Sequence, residues 1–91
     1  MRTQAARNHT FLRSYGITVD EYDDLKLAQN NNCYICGIPE ASLKTSLGLD
    51  HNHKTGKIRK FLCGKCNMLV GVHENDPYYI FNITRYISEH E

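Results

Sequence analysis

Apolar residues recur along this chain in two rhythms, helical at both ends and strand-like in the middle. Near the start, Ala5, Ala6, Phe11, Leu12 and Tyr15 are interleaved with Arg2, Arg7 and Arg13. This predicts a short amphipathic helix over residues 3–15 with a basic face, stopped by Gly16. Val19, Tyr22, Leu25 and Ala28 or Gln29 return every three or four positions, which predicts a second helix over residues 19–29. Thr18 and Glu21 have capping-box spacing, each side chain able to bond the other's backbone amide. Asp20 and Asp23 suit the positive end of the helix dipole. Asn30-Asn31-Asn32 breaks the pattern.

The middle of the chain is extended. Leu47-Gly48-Leu49-Asp50-His51 and Ile58-Arg59-Lys60-Phe61-Leu62 read as two short strands. Lys54-Thr55-Gly56-Lys57 turns between them, with Gly56 free to take a positive φ. Residues 39–46 form a polar loop, expected to be irregular and tolerant of change. Asn67-Met68-Leu69-Val70-Gly71 predicts a short helix ended by its glycine. Hairpin and helix together make a ββα unit. Asn75-Asp76-Pro77 then starts a final helix from 77 to about 89, with an Asx cap and a proline in the first turn. Its apolar face is Tyr79, Ile80, Ile83 and Ile87. Tyr78, Tyr79 and Tyr86 are read as core or dimer contacts rather than base-stacking groups.

Ninety-one residues make one small domain, which needs a staple to supplement its core. The expected parts are N-terminal helices over 1–30, a metal-stapled ββα core over 31–73 and a C-terminal helix over 74–91. The polar N-terminus has no apolar signal segment, and no apolar run is long enough for a membrane span. A reducing compartment is therefore expected, in which two disulfides are a poor use of four cysteines.

Cys33-Tyr34-Ile35-Cys36 and Cys63-Gly64-Lys65-Cys66 are paired knuckles. Two residues between cysteines let both sulfurs turn onto one ion, and two such pairs close a tetrahedral zinc site. A four-sulfur site has no open position for water. Zinc is therefore structural here, and any catalysis must lie elsewhere.

The net charge is +1, but it is unevenly spread. From His51 to Val72 there is no acidic residue, while Lys54, Lys57, Arg59, Lys60 and Lys65 are present. Such a strip suits a phosphate backbone and equally suits a solvated loop. Asp50-His51-Asn52-His53 lies between the knuckles, where zinc would hold it in place. Asn67 follows the last cysteine at the start of a helix that could bring it toward Asp50.

The set Cys-x-x-Cys, Asp-His-x-His, Lys-Thr-Gly-Lys-x-Arg and Leu-Cys-x-x-Cys-Asn resembles the phage recombination endonuclease VII family of HNH, or His-Me finger, nucleases. The likeness covers roughly residues 12–88, including Tyr15-Gly16-Ile17-Thr18 and Asn75-Asp76-Pro77. It implies a ββα-metal core with flanking helices and metal-dependent cleavage of DNA in the cytoplasm of a phage-infected or bacterial host cell. By the same resemblance, Asp50 and Asn67 would hold one Mg²⁺ or Mn²⁺ through oxygen, and His51 would be the general base. His53 would orient the phosphate or exchange roles with His51, and Lys57 and Arg59 would hold backbone phosphates. Resembling proteins dimerise, so packing of the N-terminal helices as a homodimer is open.

Junction-resolving members carry an acidic residue shortly after the asparagine. Met68, Leu69 and Val70 stand there in this chain, and Glu74, the first acidic residue beyond, is expected to lie too far along to join the site. A small nicking or homing-type enzyme fits the motifs as well as a junction resolvase. The competing reading is a non-catalytic zinc ribbon that binds DNA or protein. Asn67 separates the two, since a pure ribbon needs no oxygen ligand there.

Overall fold

The computed structural model describes residues 11, 12 and 16–91 of a small α+β domain. In order the elements are β1 (Phe11–Leu12), β2 (Ile17–Thr18), α1 (Val19–Ala28), a 3₁₀ turn (Glu40–Ser42), β3 (Gly48–His51), β4 (Ile58–Leu62), α2 (Gly64–Asn75) and α3 (Pro77–Glu89). Most of the helix expected over residues 3–15 lies outside the described residues. At its described part the expectation fails, because Phe11 and Leu12 are extended and pair antiparallel with Thr18 and Ile17.

Helix α1 begins as its sequence predicts. The Glu21 amide donates to Thr18 Oγ1 at 3.2 Å, and the Thr18 amide donates to Glu21 Oε1 at 3.0 Å. Asn30 and Asn31 end the helix in the left-handed region, at φ 56° and 57°, a conformation asparagine tolerates better than most residues. Gln29, just past the helix, is bound at both ends of its amide. Its Nε2 donates to the Phe61 carbonyl at 3.0 Å, and its Oε1 accepts from the Phe61 amide at 2.8 Å. The side chain thus imitates a neighbouring strand along the outer edge of β4.

Strands β3 and β4 form the hairpin. Its turn is built by Asn52, whose side chain accepts from the Lys54 and Thr55 amides at 2.8 and 3.0 Å, and Gly56 turns at φ 77°. Gly48 faces Leu62, Leu49 faces Phe61 and His51 faces Ile58, with an irregularity between Leu49 and His51. Across that interval β4 spends one more residue than β3, so Arg59 and Lys60 both stand opposite Asp50. A bulge of this kind breaks strict alternation and re-aims side chains. Arg59 is turned toward Asp50, and beyond the bulge Phe61 and Leu62 are both buried.

The core is small. Leu47, Leu49, Phe61 and Leu62 pack with Cys33, Cys63 and Cys66, and Ile17, Tyr22, Leu25, Ile38, Leu43, Ile58 and Val70 close around them. The Tyr22 ring meets Phe61 edge-on at 4.9 Å, anchoring α1 to the hairpin.

Two expectations about local structure are corrected. Gly71 does not end α2, which starts at the second knuckle and runs on to Asn75. Gly71 is not among the positive-φ glycines, and the break comes at Asp76, ahead of Pro77. Nor is the loop over 39–46 merely polar filler. Glu40 accepts from Lys26 Nζ at 2.8 Å and from the Leu47 amide at 2.9 Å, tying α1 to the start of β3. Both bonds hold its carboxyl below the usual carboxylate range, Lys26 contributing most.

Helix α3 starts with Asp76 accepting from the Tyr78 amide and Pro77 in its first turn. It packs on α2 and has no buried residue. Tyr78, Tyr79 and Tyr86 are all exposed, so none of them is a core contact within the chain.

Candidate functional site

Cys33 and Cys36 come from the first knuckle, and Cys63 and Cys66 from the N-terminal end of α2. The Tyr34 amide donates to the Phe61 carbonyl at 3.0 Å and binds the first knuckle to β4, which leads directly into the second. All four sulfurs lie within 4.8 Å of one another, and three of the cysteines are buried. Zinc–sulfur bonds of about 2.3 Å in a tetrahedron place the sulfurs about 3.8 Å apart. Cys36 and Cys63 stand at that spacing, with their sulfurs 3.8 Å apart. The donor set and its dimensions fit a structural zinc ion.

The thiols are unequal. Burial pushes the Cys33 thiol up, but backbone hydrogen bonds from Cys36, Cys63 and Ile35 outweigh it and bring the pKa to about 6. Burial and the three neighbouring sulfurs push Cys66 up to about 12. The Cys33 thiolate is therefore ready near neutral pH, and a bound cation would supply the charge that Cys66 needs to lose its proton.

The second cluster surrounds the end of β3. Asp50 is nearly buried, while His51 and His53 are exposed with ring centroids 4.8 Å apart and planes tilted by 47°. Arg59 Nε donates to Asp50 Oδ2 at 2.6 Å. The other guanidinium nitrogens, Nη1 and Nη2, donate to the two carboxylate oxygens of Glu74 at 3.0 and 3.1 Å. Glu74 first and Asp50 second raise the Arg59 pKa, and Arg59 in turn lowers that of Glu74. Glu74 is thus linked to Asp50 through a single guanidinium, against the expectation that it lies too far along.

Helical spacing explains how Glu74 reaches the site. Asn67, Gly71 and Glu74 are four and three residues apart, so they share one face of α2. A helix ended at Gly71 could not present Glu74 there, which is why the sequence pattern misses it. Gly71, Glu74 and Asn75 line a cavity of about 410 Å³ with Asn52, His53 and Lys54 from the hairpin turn. The absent Cβ at Gly71 leaves open space on this wall.

Asn67 lies in the first turn of α2 and is exposed. Among the described residues no hydrogen bond joins it to Asp50. The four cysteines are the only group of three or more Cys, His, Asp or Glu side chains there that converges closely enough for a metal. Asp50, His51 and His53 do not form a second one.

The basic residues divide by environment. Lys54, Lys57 and Lys65 are exposed on the turn and the start of α2. Lys60 lies over the Tyr34 ring, with Nζ 5.5 Å from its centroid. Arg59 is engaged by two carboxylates. No described helix is long and apolar enough to cross a membrane.

Comparison with known proteins adds three findings. A model of the recombination endonuclease VII family matches residues 8–89. The gene 59 protein of Mycobacterium phage L5 is 41% identical over 66 residues, covering 72% of this chain and 40% of that protein. The gene 59 protein of Mycobacterium phage D29 is 40% identical over 72 residues, covering 74% of this chain and 43% of that protein. The chain therefore spans about two fifths of the length of these curated relatives. No solved structure matches it.

Proposed function

Because the chain belongs to the recombination endonuclease VII family, we propose that it hydrolyses phosphodiester bonds in DNA as an HNH-type endonuclease. The β3–β4 hairpin and α2 would be the ββα unit of a His-Me finger, stapled by zinc at Cys33, Cys36, Cys63 and Cys66. The family match across residues 8–89 carries this reading. The paired rings of His51 and His53 beside a nearly buried Asp50 support the placement of the site.

The donor chemistry suits a hard divalent cation. Asp50 Oδ1 makes no hydrogen bond among the described residues, and Asn67 is exposed on the helix face that also carries Glu74. A carboxylate and an amide oxygen are ligands for Mg²⁺ or Mn²⁺ rather than for a thiophilic metal. When bound, such an ion would offset the charge gathering on the phosphate and the leaving 3′ oxygen.

The side chains have separate tasks. His51 accepts the proton of the attacking water as the new oxygen–phosphorus bond forms and the bond to the 3′ oxygen breaks. His53, one ring away, orients the phosphate. Lys54, Lys57, Lys60 and Lys65 hold the flanking backbone by charge. Arg59 serves the site through its carboxylates. The enzyme would work in the cytoplasm of an infected or host cell.

Purified zinc-loaded protein is tested on plasmid, linear and four-way-junction DNA, with Mg²⁺, with Mn²⁺ and with neither. Cleavage that requires either ion is expected, and the three substrates sort nicking from junction resolution. Binding without cleavage under every ion would overturn the nuclease reading in favour of the zinc-ribbon one. The homodimer left open by the resemblance would pack through the N-terminal stretch, part of which lies outside the described residues, and sedimentation of the full chain over a concentration series tests it.

A further inference from the structure

We propose that Glu74 is a positioning residue that keeps one oxygen of Asp50 open for a divalent cation by holding the Arg59 guanidinium away from it. The inference rests on the reading of Asp50 as a cation ligand and deepens it.

Its basis is the way Arg59 divides its donors. A guanidinium facing a single carboxylate prefers a fork of two parallel hydrogen bonds. Here Nη1 and Nη2 are spent on the two oxygens of Glu74, at 3.0 and 3.1 Å. Asp50 receives one bond only, from Nε to Oδ2 at 2.6 Å. Among the described residues no buried side-chain oxygen lacks a partner. Oδ1, which has no hydrogen bond, therefore reaches solvent, although the Asp50 side chain as a whole is 8% exposed. The carboxylate is held by its surroundings and presents a single free oxygen.

Removing the Glu74 carboxylate would change two things. The three groups Asp50, Arg59 and Glu74 together carry one net negative charge, and that charge would fall to zero. A glutamine there keeps one acceptor oxygen and puts a donor in place of the other, so one of the two Nη donors would also lose its partner. Arg59 stands on the bulge opposite Asp50 and already bonds one of its oxygens, so a freed Nη donor would be the group to take the other. A charge effect acts whether or not Arg59 is present, whereas closure of the fork requires Arg59. The two are therefore separable.

The experiment measures Mn²⁺ binding to zinc-loaded protein without DNA, from the spin-resonance signal of the free ion. The proteins compared are wild type, Asp50→Asn, Glu74→Gln, Arg59→Met and the double variant Glu74→Gln/Arg59→Met. Circular dichroism and zinc content confirm that each is folded, and Arg59→Lys replaces Arg59→Met in both roles if the latter is not. Glu74→Gln should weaken binding about 10-fold, as loss of an outer-sphere partner does. That loss should vanish once Arg59 is Met, and Glu74→Asp should recover part of the binding. Binding by Glu74→Gln within twofold of wild type, while Asp50→Asn has lost it, would overturn the inference alone. A loss that persists undiminished in the Arg59→Met background would overturn it too, since Glu74 would then act without the guanidinium. Wild-type binding by Asp50→Asn would overturn the ligand assignment, and this inference with it.

Discussion

His51 and His53 differ by two positions, yet their surroundings set them apart. His51 ends β3 opposite Ile58, where the ladder fixes its backbone. His53 belongs to the turn that Asn52 organises. A proton acceptor works best on a rigid base, which favours His51 for that role. His51→Ala should lower the cleavage rate by about 10²–10⁴-fold, the usual contribution of a positioned base. Zinc content and circular dichroism should stay unchanged, because the ring is exposed and outside the core. A cleavage time course on plasmid DNA reads the effect, and cutting at the wild-type rate would remove His51 from the mechanism.

Among the elements, the connection between the first knuckle and β3 shows how a polar loop acquires structural weight. Glu40 gives the Leu47 amide its acceptor, and Leu47 is fully buried. Glu40→Ala strands that donor and should cost about 1–3 kcal/mol in urea unfolding, whereas Glu40→Gln keeps an acceptor and should cost less. The folded-state pKa of Glu40 is depressed, so its stabilising share is present in full above the ordinary value of 4.5 and is lost as pH falls through the depressed value. The stability gap between wild type and Glu40→Gln should therefore stay level from neutral pH down to about 5 and narrow below it. Gln29→Ala leaves the Phe61 carbonyl its bond from the Tyr34 amide but strands the Phe61 N–H, and should likewise cost about 1–3 kcal/mol, measured in the same unfolding experiment.

These two residues also mark what could be read in advance. The capping box of α1, the Asx-Pro start of α3, the hairpin and the paired knuckles are local signals, each complete within a few residues, and each stands in the structure. Glu40 and Gln29 act on partners elsewhere. Gln29 meets Phe61 across 32 positions, and neither residue type announces its acceptor. Glu74 was hidden by a local signal that lost. Gly71 reads as a helix stop, but its neighbours pack on the hairpin and the helix continues through it. The nuclease motifs were legible because residue type and spacing alone carry them. The division of Arg59 between Asp50 and Glu74 was not, because it depends on a bulge that sequence does not show.

At the scale of the molecule, the four sulfurs replace much of the core that a chain this small lacks. They join the entry and the exit of the hairpin, so the closed loop they make contains Asp50, His51, His53 and Arg59, and Asn67 follows directly on its last cysteine. Structural zinc of this type contributes about 10–16 kcal/mol of apparent binding energy in finger-type peptides, comparable to the entire stability of an ordinary domain. A strong chelator should therefore abolish folding rather than only activity. Far-ultraviolet circular dichroism should fall in step with zinc release, and added zinc should restore it under reducing conditions. Retention of the folded spectrum after complete zinc removal would show that the core suffices alone. The clamp of Gln29 on Phe61 has a further effect at this scale. A two-stranded sheet ends in unpaired backbone that another chain can extend, the first step toward fibrils. With the Phe61 amide and carbonyl already occupied from within the chain, the outer edge of β4 is blocked at its most apolar point and offers no strand there for a second copy to extend.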